Sequence, residues 1–146
     1  MTERGETVMS ETGRAVRRAL VVLGMHRSGT SALTRVLGLL GAQLPAEILA
    51  ANPDNPRGFW ESRAIVLRHE SLLREQASFW HDILPVPDDW YTGLEARRFE
   101  DLLVGDLRAD FGDAPLVVIK DPRMCRLMPL WLRIMDFAAH RGLIES

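Results

Sequence analysis

The sequence predicts an α/β fold, a P-loop-like parallel sheet flanked by helices. Three observations lead there. Two short apolar runs, Ala19-Leu20-Val21-Val22-Leu23 and residues 115–119, read as strands buried on both faces of a parallel sheet. Apolar residues at helical spacing fill most of the chain between and beyond these runs. An eight-residue stretch with glycines at its first and sixth positions, Gly24-Met25-His26-Arg27-Ser28-Gly29-Thr30-Ser31, joins the first strand to the first helix.

Residues 1–18 are polar and charged and lack the apolar core of a signal peptide, so they read as a disordered leader to a domain over residues 19–146. After the loop, Ala32, Leu33, Val36, Leu37 and Leu40 predict a helix from Thr30 to Leu40, with Gly41 as its stop. Residues 45–60 are mostly loop, because residues 52–58 are dense in asparagine, proline and glycine. Helices are predicted over residues 62–77 (Ile65, Val66, Leu72, Leu73, Ala77) and residues 94–111 (Phe99, Leu102, Leu103, Leu107). The second strand ends in Lys120-Asp121-Pro122-Arg123. A last helix is expected over residues 125–139 through Leu127, Leu130, Trp131, Ile134 and Ala138. Two strands make a weak sheet. Further strands are therefore expected beyond residue 146 or from a partner, leaving the fold incomplete at the C-terminus, with self-association possible through an unpaired edge.

The chain has 146 residues, enough for one domain, and a net charge of −2 that gives no reason to expect nucleic acid as partner. No apolar run is long enough for a transmembrane segment. The single cysteine, Cys125, excludes an internal disulfide; a reducing compartment, the cytoplasm, is the simplest setting. His26, His69, His81, His140 and Cys125 show no metal-ligand spacing, so no metal is expected.

Residues 24–31 spell G-x-x-x-x-G-T-S, the frame of a nucleotide P-loop with a threonine where the lysine stands. The glycines permit a tight turn that points successive amides at an anion, and the following helix adds unsatisfied donors at its start. Ser28, Thr30 and Ser31 add hydroxyls. The cation sits inside the loop, at Arg27. That charge plan suits a less charged group than a Mg²⁺-bound triphosphate.

Leu23 to Ser31 resembles the 5′-phosphosulfate loop of sulfotransferases, especially the bacterial and carbohydrate branch with R-S-G-T-[ST]. Asn52-Pro53 with Gly58-Phe59-Trp60-Glu61, and Lys120-Asp121-Pro122-Arg123 with Leu130-Trp131, are similar to two further segments of that branch. The resemblance implies a sulfuryl group donor, 3′-phosphoadenosine-5′-phosphosulfate, a small-molecule or carbohydrate acceptor presenting a hydroxyl or amine, and no metal. It implies that Gly24, His26, Arg27, Ser28, Gly29, Thr30 and Ser31 form the donor site, with Arg27 stabilising charge on the departing oxygen. Glu61 would be the base, with Asp121 second, and Lys120 would orient the acceptor or the leaving group. The family also grips the donor's 3′-phosphate with an R-[NH]-P…S segment after K-D-P-R. That pattern is absent here, so the chain alone is expected to be inactive or half-competent.

Plainer roles stand beside these. Glu61 also suits the start of a helix. Asp121 is more simply a turn or cap residue before Pro122. Arg57, Arg63 and Arg123 read as surface or packing residues, and His69 and His81 as helix-surface residues. His26 is expected to point to solvent. Trp60, Trp80, Trp90 and Trp131 are expected in the core, and Cys125 as a buried thiol. The rival functions are a P-loop kinase or NTPase, a non-catalytic remnant binding module, and a gene fragment that scarcely folds.

Overall fold

The structure, a computed structural model, describes residues 18–140. All but the last residue of the expected leader, and residues 141–146, lie outside the described residues; Arg18 itself opens the first strand. The described chain is mixed α/β, with β1 (Arg18–Val22), α1 (Thr30–Leu39), α2 (Arg63–Glu75), α3 (Leu94–Phe111), β2 (Leu116–Lys120) and α4 (Met128–His140) in that order. Two short 3-10 turns, Asp88–Thr92 and Pro122–Cys125, precede α3 and α4.

β1 and β2 pair in parallel, with Arg18 opposite Leu116 and Val22 opposite Lys120. Alternation along β2 sends its side chains to two cores. Val117 and Ile119 join the larger one, with Ile65, Leu72, Phe99, Leu103, Trp131 and Ile134 of the three long helices. Val118 faces the other way, with Val22, Ala42 and the half-buried Leu37 beneath α1. Both faces of β2 are thus covered, as its continuous apolar run requires. β1 differs from expectation. Only Val22 is fully buried, and Leu20 is 37% exposed. β2 is its one strand neighbour among the described residues, so its other edge has nothing to pack beneath. The apolar stripe of α1 is open too: Leu33, Val36 and Leu40 are exposed, while Thr30 and Thr34 are the buried residues.

The last helix starts later than its apolar spacing suggests. Asp121 caps a 3-10 turn with Pro122 at its first position, and α4 begins at Met128. The periodicity ran through both because Leu127 and Leu130 are buried on either side of the junction. Trp131 lies fully in the core as expected; Trp80 is exposed, and Trp60 and Trp90 are half-buried. Cys125 is half-buried rather than enclosed. Among the described residues no helix is long and apolar enough to cross a membrane.

Candidate functional site

α1 begins at a turn that carries no side-chain cap. Its cap position is Gly29, at φ 86°, in the left-handed region that glycine enters without a Cβ clash. Ala32 N–H turns back to the Gly29 carbonyl at 3.0 Å, so the Thr30 and Ser31 amides are the ones left for water or a ligand. Gly24 closes the other end of the loop. A Cβ there would lie 2.6 Å from Thr30 Cγ2 and 2.8 Å from Ser28 Oγ, so only glycine lets the loop fold over itself. Ser28 spends its hydroxyl inside the loop, donating to the Met25 carbonyl at 2.6 Å. Arg27 takes φ 66°, a costly value for a residue with a side chain, and its Nη1 donates to the Asp54 carbonyl at 2.9 Å. That bond ties the loop to the turn over residues 52–58.

Above the loop opens a cavity of about 620 Å³, walled by His26, Arg27, Thr30 and Ser31 on one side and by Phe59, Trp60, Glu61 and Lys120 on the other. The segment that brings Glu61 here is fixed by backbone bonds. Leu49 N–H donates to the Glu61 carbonyl and Arg63 N–H to the Glu47 carbonyl, both at 2.8 Å. Ser62 then caps α2, its Oγ accepting from Ile65 N–H at 3.0 Å and donating to the buried Asp110 carboxylate. Asp110 Oδ1 also accepts from Glu47 N–H at 3.3 Å, anchoring the whole segment to α3.

Lys120 ends β2 beneath the cavity, 4% exposed. Its ammonium donates to Glu61 Oε1 in a short ion pair, to Ser31 Oγ at 3.3 Å and to the Phe59 carbonyl at 3.4 Å. All three ammonium hydrogens are engaged. Lys120 therefore joins α1 to Glu61. Glu61 does not act as a helix-start charge; its carboxylate turns to Lys120, and its second oxygen lies 4.0 Å from Arg123 Nη1. Burial pushes the Glu61 carboxyl above its usual value, against the hydrogen bond and charge of Lys120.

Behind this pair lies a network that the sequence reading missed. His69 was expected on a helix surface, yet it is fully buried. Trp131 Nε1–H donates to His69 Nε2 at 3.0 Å, and His69 Nδ1 lies 2.8 Å from Asp121 Oδ2. The indole can only donate, so Nε2 is the acceptor and Nδ1 carries the proton toward Asp121. Asp121 Oδ1 accepts from the Arg123 backbone N–H and from its Nη1, both at 2.9 Å. Arg123 Nη2 reaches Glu70 at 2.7 Å. Arg123 is thus a buried ion-pair residue rather than a surface one. Burial alone would raise the Asp121 carboxyl; the His69 hydrogen bond and the Arg123 guanidinium hold it well below the usual carboxylate range.

The sequence-predicted residues therefore divide. His26, Arg27, Gly29, Thr30, Ser31, Glu61 and Lys120 line one cavity. Gly24 and Ser28 shape the loop beneath it. Asp121 is not in the cavity wall, and both of its oxygens face the buried network. His26 does not point freely to solvent. It packs on Trp80, ring centroids 4.6 Å apart, with Nδ1 buried and unpaired. Burial first, then Arg123 and Lys120, hold its pKa below the usual histidine value, with Asp121 opposing. Arg35 and Arg57 also wall the cavity. The signal for Arg35 was its place four residues after Ser31, on the same face of α1. Among the described residues no group of three or more histidine, cysteine or acidic side chains could hold a metal ion.

No protein-family model, no curated protein and no solved structure matches the chain.

Proposed function

We propose that this chain is a sulfuryl-transfer domain of P-loop architecture, taking 3′-phosphoadenosine-5′-phosphosulfate as donor and a hydroxyl or amine as acceptor. One observation carries the reading. Lys120 ties Ser31 of a glycine-shaped anion loop to the buried carboxylate of Glu61 across a single cavity. A loop for an oxyanion and a base for an acceptor proton are the two parts that such a transfer needs. Two further features support the reading: α1 starts without a side-chain cap, and Arg27 lines the cavity beside that start.

In this mechanism the amides after Gly29, with Thr30 and Ser31, hold the 5′-phosphate. Glu61 accepts the acceptor proton as the new bond to sulfur forms. The bond from sulfur to the bridging oxygen breaks, and negative charge gathers on that oxygen, where Arg27 stabilises it. Lys120 keeps Ser31 and Glu61 at fixed separation. Asp121, buried and doubly bonded, orients Arg123 behind Glu61 instead of acting as base.

Incubation with ³⁵S-labelled donor and a pool of hydroxyl and amine acceptors tests this. Label should move to an organic ester or sulfamate with the wild type and fail to move with Glu61→Gln. Donor binding with no transfer to any acceptor would instead make the chain a binding module. Transfer undiminished in Glu61→Gln would remove Glu61 as base.

A further inference from the structure

We infer that Glu70 is a positioning residue for Glu61: together with Asp121 it holds Arg123 away from Glu61 Oε2 and keeps that oxygen free for the acceptor's proton. The inference rests on the reading of Glu61 as base. The two oxygens of Glu61 are not equivalent. Oε1 accepts from the Lys120 ammonium. Oε2 has no hydrogen-bond partner among the described residues, and Arg123 Nη1 stands 4.0 Å from it, outside hydrogen-bond range. A base needs a lone pair open to the group it deprotonates, so Oε2 is the atom that takes the proton.

An arginine this near a carboxylate would ordinarily close on it, because a charge-assisted bond of about 2.7–2.9 Å is the stronger state. Two anchors prevent that. Arg123 Nη1 donates to Asp121 Oδ1 at 2.9 Å, and Nη2 donates to Glu70 Oε1 at 2.7 Å. The guanidinium is planar, so bonds on both Nη atoms fix its tilt as well as its place. The first anchor is set in the core, since His69 stands behind Asp121 and Trp131 behind His69. The second is the softer one: the Glu70 side chain is 38% exposed, against 0% for Asp121. Glu70 lies on α2, whose cap, Ser62, directly follows Glu61. The reacting carboxylate and the one that restrains its neighbour therefore belong to one segment. The charged groups that face Glu61 are Lys120 from β2 and Asp121 and Arg123 from the turn after it. His26, Arg27, Arg35 and Arg57 line the same cavity. Held at 4.0 Å, Arg123 favours the ionised carboxylate through its charge without occupying the oxygen. Closed onto Oε2, it would take the lone pair and lower the affinity of that oxygen for a proton.

The test compares Glu70→Ala, which removes the anchor, with Glu70→Gln, which keeps an oxygen for Nη2 and removes only the charge. Glu70 is partly exposed, so both variants should keep the fold, which a thermal melt checks. The Glu61 carboxyl is followed by ¹³C NMR titration of the ligand-free chain and assigned with Glu61→Gln. In Glu70→Ala its midpoint should fall by about one pH unit or more. A crystal structure of that variant should show Arg123 Nη1 within about 3 Å of Oε2. Transfer of label from the phosphosulfate donor should fall about tenfold or more. Glu70→Gln should recover most of the midpoint and of the transfer. A midpoint and an Arg123 position unchanged in Glu70→Ala overturn the inference. Equal shifts in Glu70→Ala and Glu70→Gln overturn it too, because charge alone would then account for them. The predicted shift with no transfer by the wild type keeps the restraint and overturns the base reading instead.

Discussion

Lys120 and Glu61 form an ion pair that is almost wholly enclosed, the side chains 2% and 4% exposed. It links the end of β2 to the residue before the α2 cap. The pair makes the Glu61 titration a test of the site. Burial raises the Glu61 carboxyl above 4.5, and Lys120 opposes that rise. A base must be ionised to act, so the acid limb of kcat/KM should lie above pH 4.5. Lys120→Ala removes the opposing influence, so the limb should move to higher pH. Stability runs the opposite way. The Glu61 contribution is fully present below its unfolded value and is lost as pH rises through the folded one. A limb that stays in place in Lys120→Ala would separate Glu61 from the profile.

Gly24→Ala should damage the loop without touching any ligand. The added Cβ meets Thr30 Cγ2 at 2.6 Å. The expected cost is about 1–3 kcal/mol, with weaker donor binding. Thr30→Ser removes Cγ2, so the double variant should recover part of the lost stability in a denaturant melt. Recovery stays partial because Ser28 Oγ remains 2.8 Å away.

Arg27→Gly separates binding from folding. Arg27 sits at φ 66°, a conformation that costs a side chain about 1–3 kcal/mol. Glycine relieves that strain but adds about 0.5–1 kcal/mol of chain entropy to the unfolded state. The Tm should therefore be level or slightly higher while donor affinity falls. A large drop in Tm would mean that the bond to the Asp54 carbonyl holds the fold, not only the loop.

His69→Ala leaves Asp121 buried beside an unpaired gap. Asp121 keeps Arg123 on its other oxygen, so losing this one hydrogen bond costs about 1–3 kcal/mol, to which the cavity left by the ring adds. The Asp121 carboxyl is held below its unfolded value of 3.8, so its contribution is present above that pH and lost as pH falls through the folded pKa. Asp121→Asn should therefore lower stability near neutral pH and flatten its loss in acid. Thermal melts at two pH values read both effects.

The sequence carried the elements well because each obeys a local rule. α3 runs over its predicted residues, Leu94–Phe111, and the loop before α1 has the expected glycine geometry. The loop was legible from its glycine spacing and its flanks, whereas Glu61 and Lys120 were singled out only by the family resemblance. The buried relay was not. His69 lies in a helix between Arg68 and Glu70, a charged stretch that reads as surface, and only the fold brings it to Asp121, 52 positions away, and to Trp131. Asp110 was equally hidden, since its partners Ser62 and Glu47 come from a loop with no periodicity. β1 read as buried because a run of aliphatic residues does not tell which edge of a sheet has a neighbour.

Calorimetric titration with 3′-phosphoadenosine-5′-phosphosulfate, with and without Mg²⁺ and against ATP, tests the central claim most directly. Metal-independent binding of the phosphosulfate donor, weakened about tenfold or more in Arg27→Ala, is the predicted result. Binding of ATP only with Mg²⁺, and none of the phosphosulfate donor, would contradict it.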